Sequence, residues 1–451
     1  MKSERKNLYW LARVYFLSTL ALACQHSANQ PLADDPILTN GPTAEQLSEP
    51  EVCAVCHPEH YKEWQTSMHA YAIADPIFQT LSKIGQEKTN HELDQFCLKC
   101  HTPLGSLLGE TKAGFDFANL SPLAKAGVSC EVCHSLKSIR RGEGVTDFYA
   151  DDIQRGPILN PVANSFHESD FRGVYKGSDF CSGCHQVKSP DFSFDLETTS
   201  DEWSKSSYVV PAIECQTCHM PAYTGKAAVD GPVREVIHRH TFIGVDYPLI
   251  DFPGKQETIE RVKNLLENSA TLTVQAPDEV SPQANFQVKV AIHNTFAGHN
   301  LPTGATFERQ MWLEVRVTGE NSKNAYFATG LLDQNGDLMN EHSEFVASGQ
   351  ISQDTSLVLY NGKAIDGNGD ETLFFWEAKA IENNTIPALE SRSAVFQIQA
   401  PTNMENLQLD VRLRFRSFPP YMLRAIGREN LIAELIAFDM ETFQTVIAMR
   451  N

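Results

Sequence analysis

The sequence predicts an α+β protein, in which a loop- and helix-rich N-terminal part precedes an antiparallel, immunoglobulin-like β-sandwich. Ten paired cysteines fall between Cys53 and Cys218, in a stretch rich in Gly, Pro and Asp with little amphipathic periodicity. After about residue 255 the chain changes to short runs in which apolar and polar residues alternate. That alternation is the pattern of half-buried strands.

The bulk composition describes an ordinary folded protein. The chain has 451 residues, of which 42% are apolar and 21% are charged, enough for two or three domains. Its formal net charge of −20 argues against a nucleic-acid partner, which would require a basic surface.

Residues 1–23 have the features of a secretory signal peptide. A basic start precedes the apolar run VYFLSTLALA, which is too short for a permanent membrane span. LALAC resembles a bacterial lipobox with Cys24 as the lipidated residue; cleavage after Ala23 to release a soluble protein is the alternative. We expect an exported protein in the periplasm or at the outer membrane, with a lipid anchor on Cys24 as the favoured form.

Composition divides the rest of the chain into four segments. Residues 24–50 are rich in Pro, Asn, Ser and Asp and predict a flexible tether. Residues 51–254 hold the paired cysteines. Residues 255–268 have apolar residues at helical spacing and predict a connecting helix, and residues 269–451 form the predicted sandwich.

The strand prediction rests on five alternating runs: ATLTVQAP, FQVKVAIHNT, MWLEVRVTGE, AVFQIQAP and LQLDVRLRFRSF. The turn signals QNGD, NG and GNGD lie between them. In the cysteine-rich segment, short helices are expected at Glu59–Thr66 and Asp75–Ile84.

Five copies of the pattern C-x-x-C-H occur in residues 51–254. They are Cys53, Cys56 and His57; Cys97, Cys100 and His101; Cys130, Cys133 and His134; Cys181, Cys184 and His185; and Cys215, Cys218 and His219. In such a motif two thiols add to the vinyl groups of one haem, and the next imidazole becomes the proximal iron ligand. A structural zinc site takes four ligands, usually from two C-x-x-C motifs, and five motifs cannot all form such pairs. Structural disulfides give no reason for a His after each second cysteine. The sequence therefore predicts five covalently bound haem c groups.

Several stretches resemble the multihaem c-type cytochromes around the tetrahaem carrier that serves hydroxylamine oxidation. They are EWQTSMHAYA, GVSCEVCH, CQTCHMP and HRHTFIG. The resemblance covers residues 51 to about 250 and implies that His69 and His240 ligate irons. Related proteins with an added β-domain carry a loop like GHNLPTG, which implies that His299 also reaches a haem.

Two further histidines complete a set of distal ligands. His167 and His91 lie in NSFHESDF and TNHELDQFC, whereas His238 competes with His240 for one position. Five motifs and five candidates favour two histidines on every iron, as electron carriers use. We therefore predict an electron-transfer protein that exchanges electrons with other cytochromes or a quinol-linked donor.

Two alternatives remain open. If His91 or another candidate is not a ligand, one iron has an open position, where nitrite, hydroxylamine or a sulfur oxyanion could react. Alternatively, the β-sandwich docks the protein into a larger haem-protein assembly or a homo-oligomer.

Overall fold

In the computed structural model, which describes residues 41–145, 147–191 and 193–450, the N-terminal part consists of short helices and two-stranded sheets. The predicted signal peptide and Cys24 lie outside the described residues. The helices are α1 (Pro50–Ala54), α2 (Pro58–Gln65), α3 (Met68–Tyr71), α4 (Pro76–Lys88), α5 (Asp94–His101), α6 (Pro103–Leu107), α7 (Pro122–Lys125), α8 (Cys130–His134), α9 (Thr199–Lys205) and α10 (Cys215–His219). The strands are β1 (Ile153–Gly156), β2 (Glu168–Phe171), β3 (Val187–Lys188), β4 (Asp195–Glu197), β5 (Ala222–Lys226) and β6 (Val233–His238).

Local sequence explains where these helices begin. α4 starts at Pro76, because the fixed φ of proline suits the first helical position, and the Asp75 carboxylate accepts a hydrogen bond from the Ile77 N–H. The Ser121 hydroxyl likewise accepts from the Ala124 N–H at the start of α7. The helices predicted at Glu59–Thr66 and Asp75–Ile84 correspond to α2 and α4.

One helix connects the two parts of the chain. α11 (Lys255–Glu267) matches the helix predicted at residues 255–268 and buries Val262 and Leu266. Gly254 precedes it with φ +69°, and a Cβ there would lie 2.4 Å from the Thr66 side chain. The Thr258 hydroxyl donates to the Thr66 carbonyl at 2.9 Å. The start of α11 is therefore fastened to the end of α2.

The C-terminal part consists mainly of antiparallel strands. They are β7 (Ala270–Gln275), β8 (Glu279–Val280), β9 (Asn285–Asn294), β10 (Gln310–Gly319), β11 (Ala325–Thr329), β12 (Val358–Tyr360), β13 (Gly362–Asp366), β14 (Glu371–Thr372), β15 (Ala378–Asn383), β16 (Ser391–Gln399), β17 (Leu407–Arg416) and β18 (Phe438–Met449). Two short helices, α12 (Glu344–Ala347) and α13 (Pro420–Ala425), interrupt them. The five predicted runs correspond to β7, β9, β10, β16 and β17.

The strands form two main sheets and one small sheet. The larger main sheet has the order β11-β10-β17-β18-β8, with β12 also paired to β10, and the other has the order β16-β9-β7. β18 and β8 pair in parallel; the other pairs in these two sheets are antiparallel. The small sheet has the order β14-β13-β15.

Both main sheets contribute to one hydrophobic core. Val288 and Ile292 of β9 lie in the same buried cluster as Leu313 of β10 and Val411 of β17. Burial alternates along β9 and β17, as the period-two pattern predicts. The predicted α+β class, helices followed by antiparallel sheets, is confirmed. The finer immunoglobulin-like assignment and the exact domain boundaries stay predictions.

From Gly41 onward the chain forms one compact unit. None of the helices in the described ranges is both long enough and apolar enough to cross a membrane.

Candidate haem-binding site

The C-x-x-C-H motifs adopt tight helical turns. The second motif ends α5, and the third and fifth motifs are themselves α8 and α10. In the first and fourth motifs the histidine N–H bonds the carbonyl of the first cysteine, at 2.8 Å for His57 and 3.0 Å for His185. A helical turn places residues three and four apart on one face, so both thiols and the imidazole of a motif point the same way.

All five motifs open into one cavity of about 2220 Å³. Its lining contains the ten motif cysteines and the five motif histidines. None of the ten cysteines forms a disulfide. The cavity is too large for zinc sites formed by C-x-x-C motifs. It suits several large planar groups attached through these thiols.

The motif imidazoles are oriented by backbone carbonyls. The Nδ1 atoms of four of them face carbonyl oxygens: His57 faces Ala227 at 2.6 Å, His134 faces Arg155 at 2.6 Å, His219 faces Ile243 at 2.6 Å, and His101 faces Ala72 at 3.2 Å. A carbonyl partner requires the proton on Nδ1 and leaves the Nε2 lone pair free for a metal. Haem iron is bound by a histidine presented in this way.

Four motif imidazoles have a second imidazole at nearly the same separation. The ring centroids are 6.3 Å apart for His57 and His167, 6.3 Å for His69 and His185, 6.4 Å for His134 and His240, and 6.3 Å for His219 and His299. Two metal–nitrogen bonds of about 2 Å each, plus the distance from each ring centre to its nitrogen, give about 6 Å between ring centres. The four spacings therefore fit one iron between each pair.

His60 also lies 6.3 Å from His57, but on a different side. The Ala227 carbonyl, which bonds His57 Nδ1, also bonds His60. His60 is therefore near the Nδ1 edge of His57, and His167 is the histidine left to face the Nε2 edge.

The motif histidine His101 has no such partner among the described histidines. Its ring stacks on Phe78, with centroids 3.7 Å apart and planes within 6°. His91, the ligand predicted by counting, does not line the cavity. Its Nδ1 faces the Asp94 carboxylate at 3.2 Å and its side chain is 42% exposed. The structure thus gives no support to the ligand role predicted for His91.

His69 is held by the segment that precedes the third motif. The His69 carbonyl accepts from the Val128 N–H at 3.0 Å, and the Trp64 indole donates to the Val128 carbonyl at 2.8 Å. Gly127 has φ +65°, and a Cβ there would lie 2.7 Å from the His69 oxygen. The stretches EWQTSMHAYA and GVSCEVCH are therefore two sides of one contact.

His299 reaches the cavity from the strand-rich part. It lies in the loop between β9 and β10, where the Asn294 amide donates to its carbonyl at 2.8 Å. Its Nδ1 faces the Asn300 carbonyl at 2.9 Å. His238 also lines the cavity, but its Nδ1 faces the Met220 carbonyl at 2.6 Å, and no motif imidazole pairs with its ring at the spacing of the four pairs.

Burial keeps these imidazoles neutral. Removal from water, with a smaller contribution from neighbouring imidazoles, lowers the pKa of His69 to about 3. Burial likewise lowers the pKa values of His101 and His219 to about 4. Because only a neutral imidazole can bind a metal, the site presents the ligating form at neutral pH.

Several buried donors that line the cavity have no hydrogen-bond partner in the described chain. They include Ser129 Oγ, Trp376 Nε1, Arg155 Nε and Arg309 Nε. Buried donors without partners are costly. The two propionates of each haem are acceptors, so this donor set also fits the cofactor.

Buried carboxyls form a second group in the lining, which the sequence did not reveal. Burial raises the pKa of Asp75 to about 6 and the pKa values of Glu197 and Glu308 to about 7. Neighbouring carboxylates, Asp246 among them, raise these pKa values further, whereas the nearby Arg309 lowers them. Arg309 itself donates to Asp246 at 2.7 Å.

The motifs touch one another in an order that differs from the sequence. The Cys53 side chain lies beside that of Cys130, the Cys100 side chain beside that of Cys184, and the Cys181 side chain beside that of Cys215. The first motif is therefore next to the third, the second next to the fourth, and the fourth next to the fifth.

Comparisons with known proteins agree with this site. Residues 52–135 match the family model described as cytochrome c554 and c-prime. No curated protein sequence gives a significant match. Among solved structures, the chain is similar to a penta-heme cytochrome c552 from Thermochromatium tepidum, at 20% identity and a TM-score of 0.64, over 89% of this chain and 99% of that one. A CARDB domain from Pyrococcus furiosus aligns with 40% of this chain and 87% of its own at 8% identity, but its TM-score of 0.18 carries no argument.

The repeated motifs and their common cavity fit several covalently bound haem c groups, and the similarity to multihaem c-type cytochromes agrees with that chemistry. Within that class, the match to the cytochrome c554 and c-prime family spans the first three motifs.

Proposed function

We propose that this protein carries five haem c groups, of which four have two axial histidines and serve electron transfer. The single observation that supports this proposal is the set of four imidazole pairs with centroids 6.3 to 6.4 Å apart. Haem c supplies reversible one-electron chemistry of iron. The chain supplies neutral, oriented imidazoles in a cavity largely removed from water.

The contacts between motifs favour a conducting role. Each motif has at least one neighbour whose cysteine side chain it touches. Physiological partners are then redox proteins, such as other cytochromes or a quinol-linked donor. We further propose that the protein is exported, in the periplasm or at the outer membrane, because of its N-terminal segment, with Cys24 as the lipidated residue.

A second candidate function rests on His101. This motif histidine has no imidazole partner among the described residues, so a haem held by the second motif would have one open axial position. An open iron binds small ligands, and nitrite, hydroxylamine or a sulfur oxyanion are the candidate substrates. On this proposal the protein is a conduit with one reactive haem, and not an electron carrier with two histidines on every iron.

Haem counting by pyridine haemochrome, combined with low-temperature EPR and near-infrared magnetic circular dichroism, tests both parts. We expect five haems per chain, four low-spin with two histidines and one high-spin. A count of five low-spin haems would contradict the proposed open position. A count below four would contradict the proposed imidazole pairs. If one haem is high-spin, turnover of nitrite and hydroxylamine is the next assay.

A further inference from the structure

Glu63 is a buried carboxylate next to one of the distal histidines. It lies on α2 with its side chain 8% exposed. Its Oε2 accepts a hydrogen bond from the His240 backbone N–H at 2.7 Å, and its Oε1 accepts from the Arg239 guanidinium at 2.6 Å. Both oxygens are thus engaged by consecutive residues of the stretch HRHTFIG.

A charge in this position requires compensation. Removing a carboxylate from water is costly unless it is paired and hydrogen-bonded. Arg239 supplies the opposite charge, and its guanidinium also lies over the Tyr223 ring, 3.7 Å from the centroid. Tyr223 belongs to β5, which pairs with β6. The ion pair therefore joins α2 to the hairpin from which His240 emerges.

The His240 ring is fixed from two directions. Its Nδ1 faces the His238 carbonyl at 3.0 Å, which directs Nε2 towards the cavity, and its backbone N–H is held by Glu63. The ring then lies 6.4 Å from His134, with planes within 25°. The helix α2, which carries Glu63, begins directly after His57. One short helix therefore links the first motif to His240, the proposed distal ligand of the third motif.

We propose that Glu63 is a positioning residue that holds His240 opposite His134. This inference rests on the proposed axial pair of His134 and His240. Without Glu63, the His240 N–H and the Arg239 guanidinium lose their acceptor, and the segment is free to move the ring away from the iron. Glu63 also places a negative charge near this haem, which favours the oxidised iron.

The test uses the haem-loaded protein with the variants Glu63→Ala and Glu63→Gln. The matched control is Glu59→Ala, because Glu59 is an exposed residue on the same helix. Pyridine haemochrome counting and circular dichroism first establish that each variant is loaded and folded. EPR and magnetic circular dichroism then count low-spin haems, and spectroelectrochemical titration gives the potentials.

We expect Glu63→Ala to convert one low-spin haem into a high-spin or altered low-spin form, with the other three unchanged. Glu63→Gln retains one oxygen acceptor but not the charge, so we expect the low-spin count to be kept and one potential to rise. Glu59→Ala should change neither. An unchanged potential in Glu63→Gln would overturn the role of the charge, and an unchanged EPR spectrum in a loaded, folded Glu63→Ala would overturn positioning. If Glu63→Ala is not loaded, Glu63→Leu at equal haem content replaces it in the EPR comparison.

A second variant separates this inference from the proposed function. His240→Ala should lose one low-spin haem. If it loses none, the proposed axial pair itself is wrong. If His240→Ala loses one and a loaded, folded Glu63→Ala loses none, the pair stands and only the role of Glu63 is wrong.

Discussion

The imidazole rings of His219 and His299 lie 6.3 Å apart with their planes within 16°, the most nearly parallel of the four pairs. One residue ends α10 in the motif-bearing part, and the other lies in the loop between strands β9 and β10 of the strand-rich part. The strand-rich part therefore contributes the His299 side chain to the lining of the cavity.

Replacing His299 should remove one axial ligand. We expect His299→Ala to convert one low-spin haem to high-spin, while the haem stays attached through Cys215 and Cys218. EPR at constant haem content measures the change. His293→Ala is the matched control, because His293 is on exposed β9 surface and bonds Ser391 at 2.6 Å. An equal loss of low-spin haem in both variants would contradict ligation by His299.

Replacing His91 should leave every axial ligand in place. We propose His91→Asn, because residue 91 has φ +70° and asparagine tolerates this conformation better than alanine. We expect the spin-state distribution to be unchanged, and the reduced protein to bind one carbon monoxide per chain before and after substitution. Carbon monoxide binding that appears only in the variant would restore His91 as a ligand.

The cavity carboxyls should make stability depend on pH. Glu197 and Glu308 have folded-state pKa values of about 7, raised from an ordinary value of 4.5. The folded protein therefore retains protons that the unfolded chain releases, and the stabilisation present below about pH 4.5 is lost as pH rises through 7. The loss is at most on the order of 3 kcal/mol per group.

The double variant Glu197→Gln, Glu308→Gln tests this dependence. It should melt at a higher temperature than the parent at pH 8 and at nearly the same temperature at pH 5, by calorimetry of the oxidised protein. Substituting the exposed Glu382 should have no such effect. Parallel pH profiles in parent and double variant would contradict the assignment.

A methyl group at Gly127 should disturb the position of His69. Gly127→Ala meets the His69 carbonyl oxygen at 2.7 Å, in addition to the strain of a positive φ. Gly114→Ala is the matched control, since Gly114 has φ +80° with no atom within 4 Å of an added Cβ. We expect Gly127→Ala to cost about 1–2 kcal/mol more than the control and to alter one low-spin EPR signal. Equal unfolding free energies would count against the close approach.

Sequence reasoning succeeded where the chemistry is local. The C-x-x-C-H motif contains both thiols and the imidazole within five consecutive residues, so it can be recognised without the fold. The alternating runs predicted five strands to within a few residues. The proposed distal ligands are different, because they come from segments at no fixed distance from their motif. Counting therefore included His91, which meets Asp94 instead of the cavity.

Other features depend on contacts between distant residues. Glu63 and His240 are 177 positions apart, and Arg309 and Asp246 are 63 apart. No local pattern marks such a pair, because a glutamate on a short helix is ordinarily an exposed residue.

The loop that carries His299 also affects how the protein is assembled. Thioether attachment of haem needs only the residues of each motif, which are complete by residue 219. His299, which pairs with the histidine of the fifth motif, is fixed only when β9 and β10, on either side of its loop, have joined their sheets. On the proposed pairing of His219 with His299, the spectrum of the fifth-motif haem would report maturation, because its change to low-spin would mark the folding of the strand-rich part.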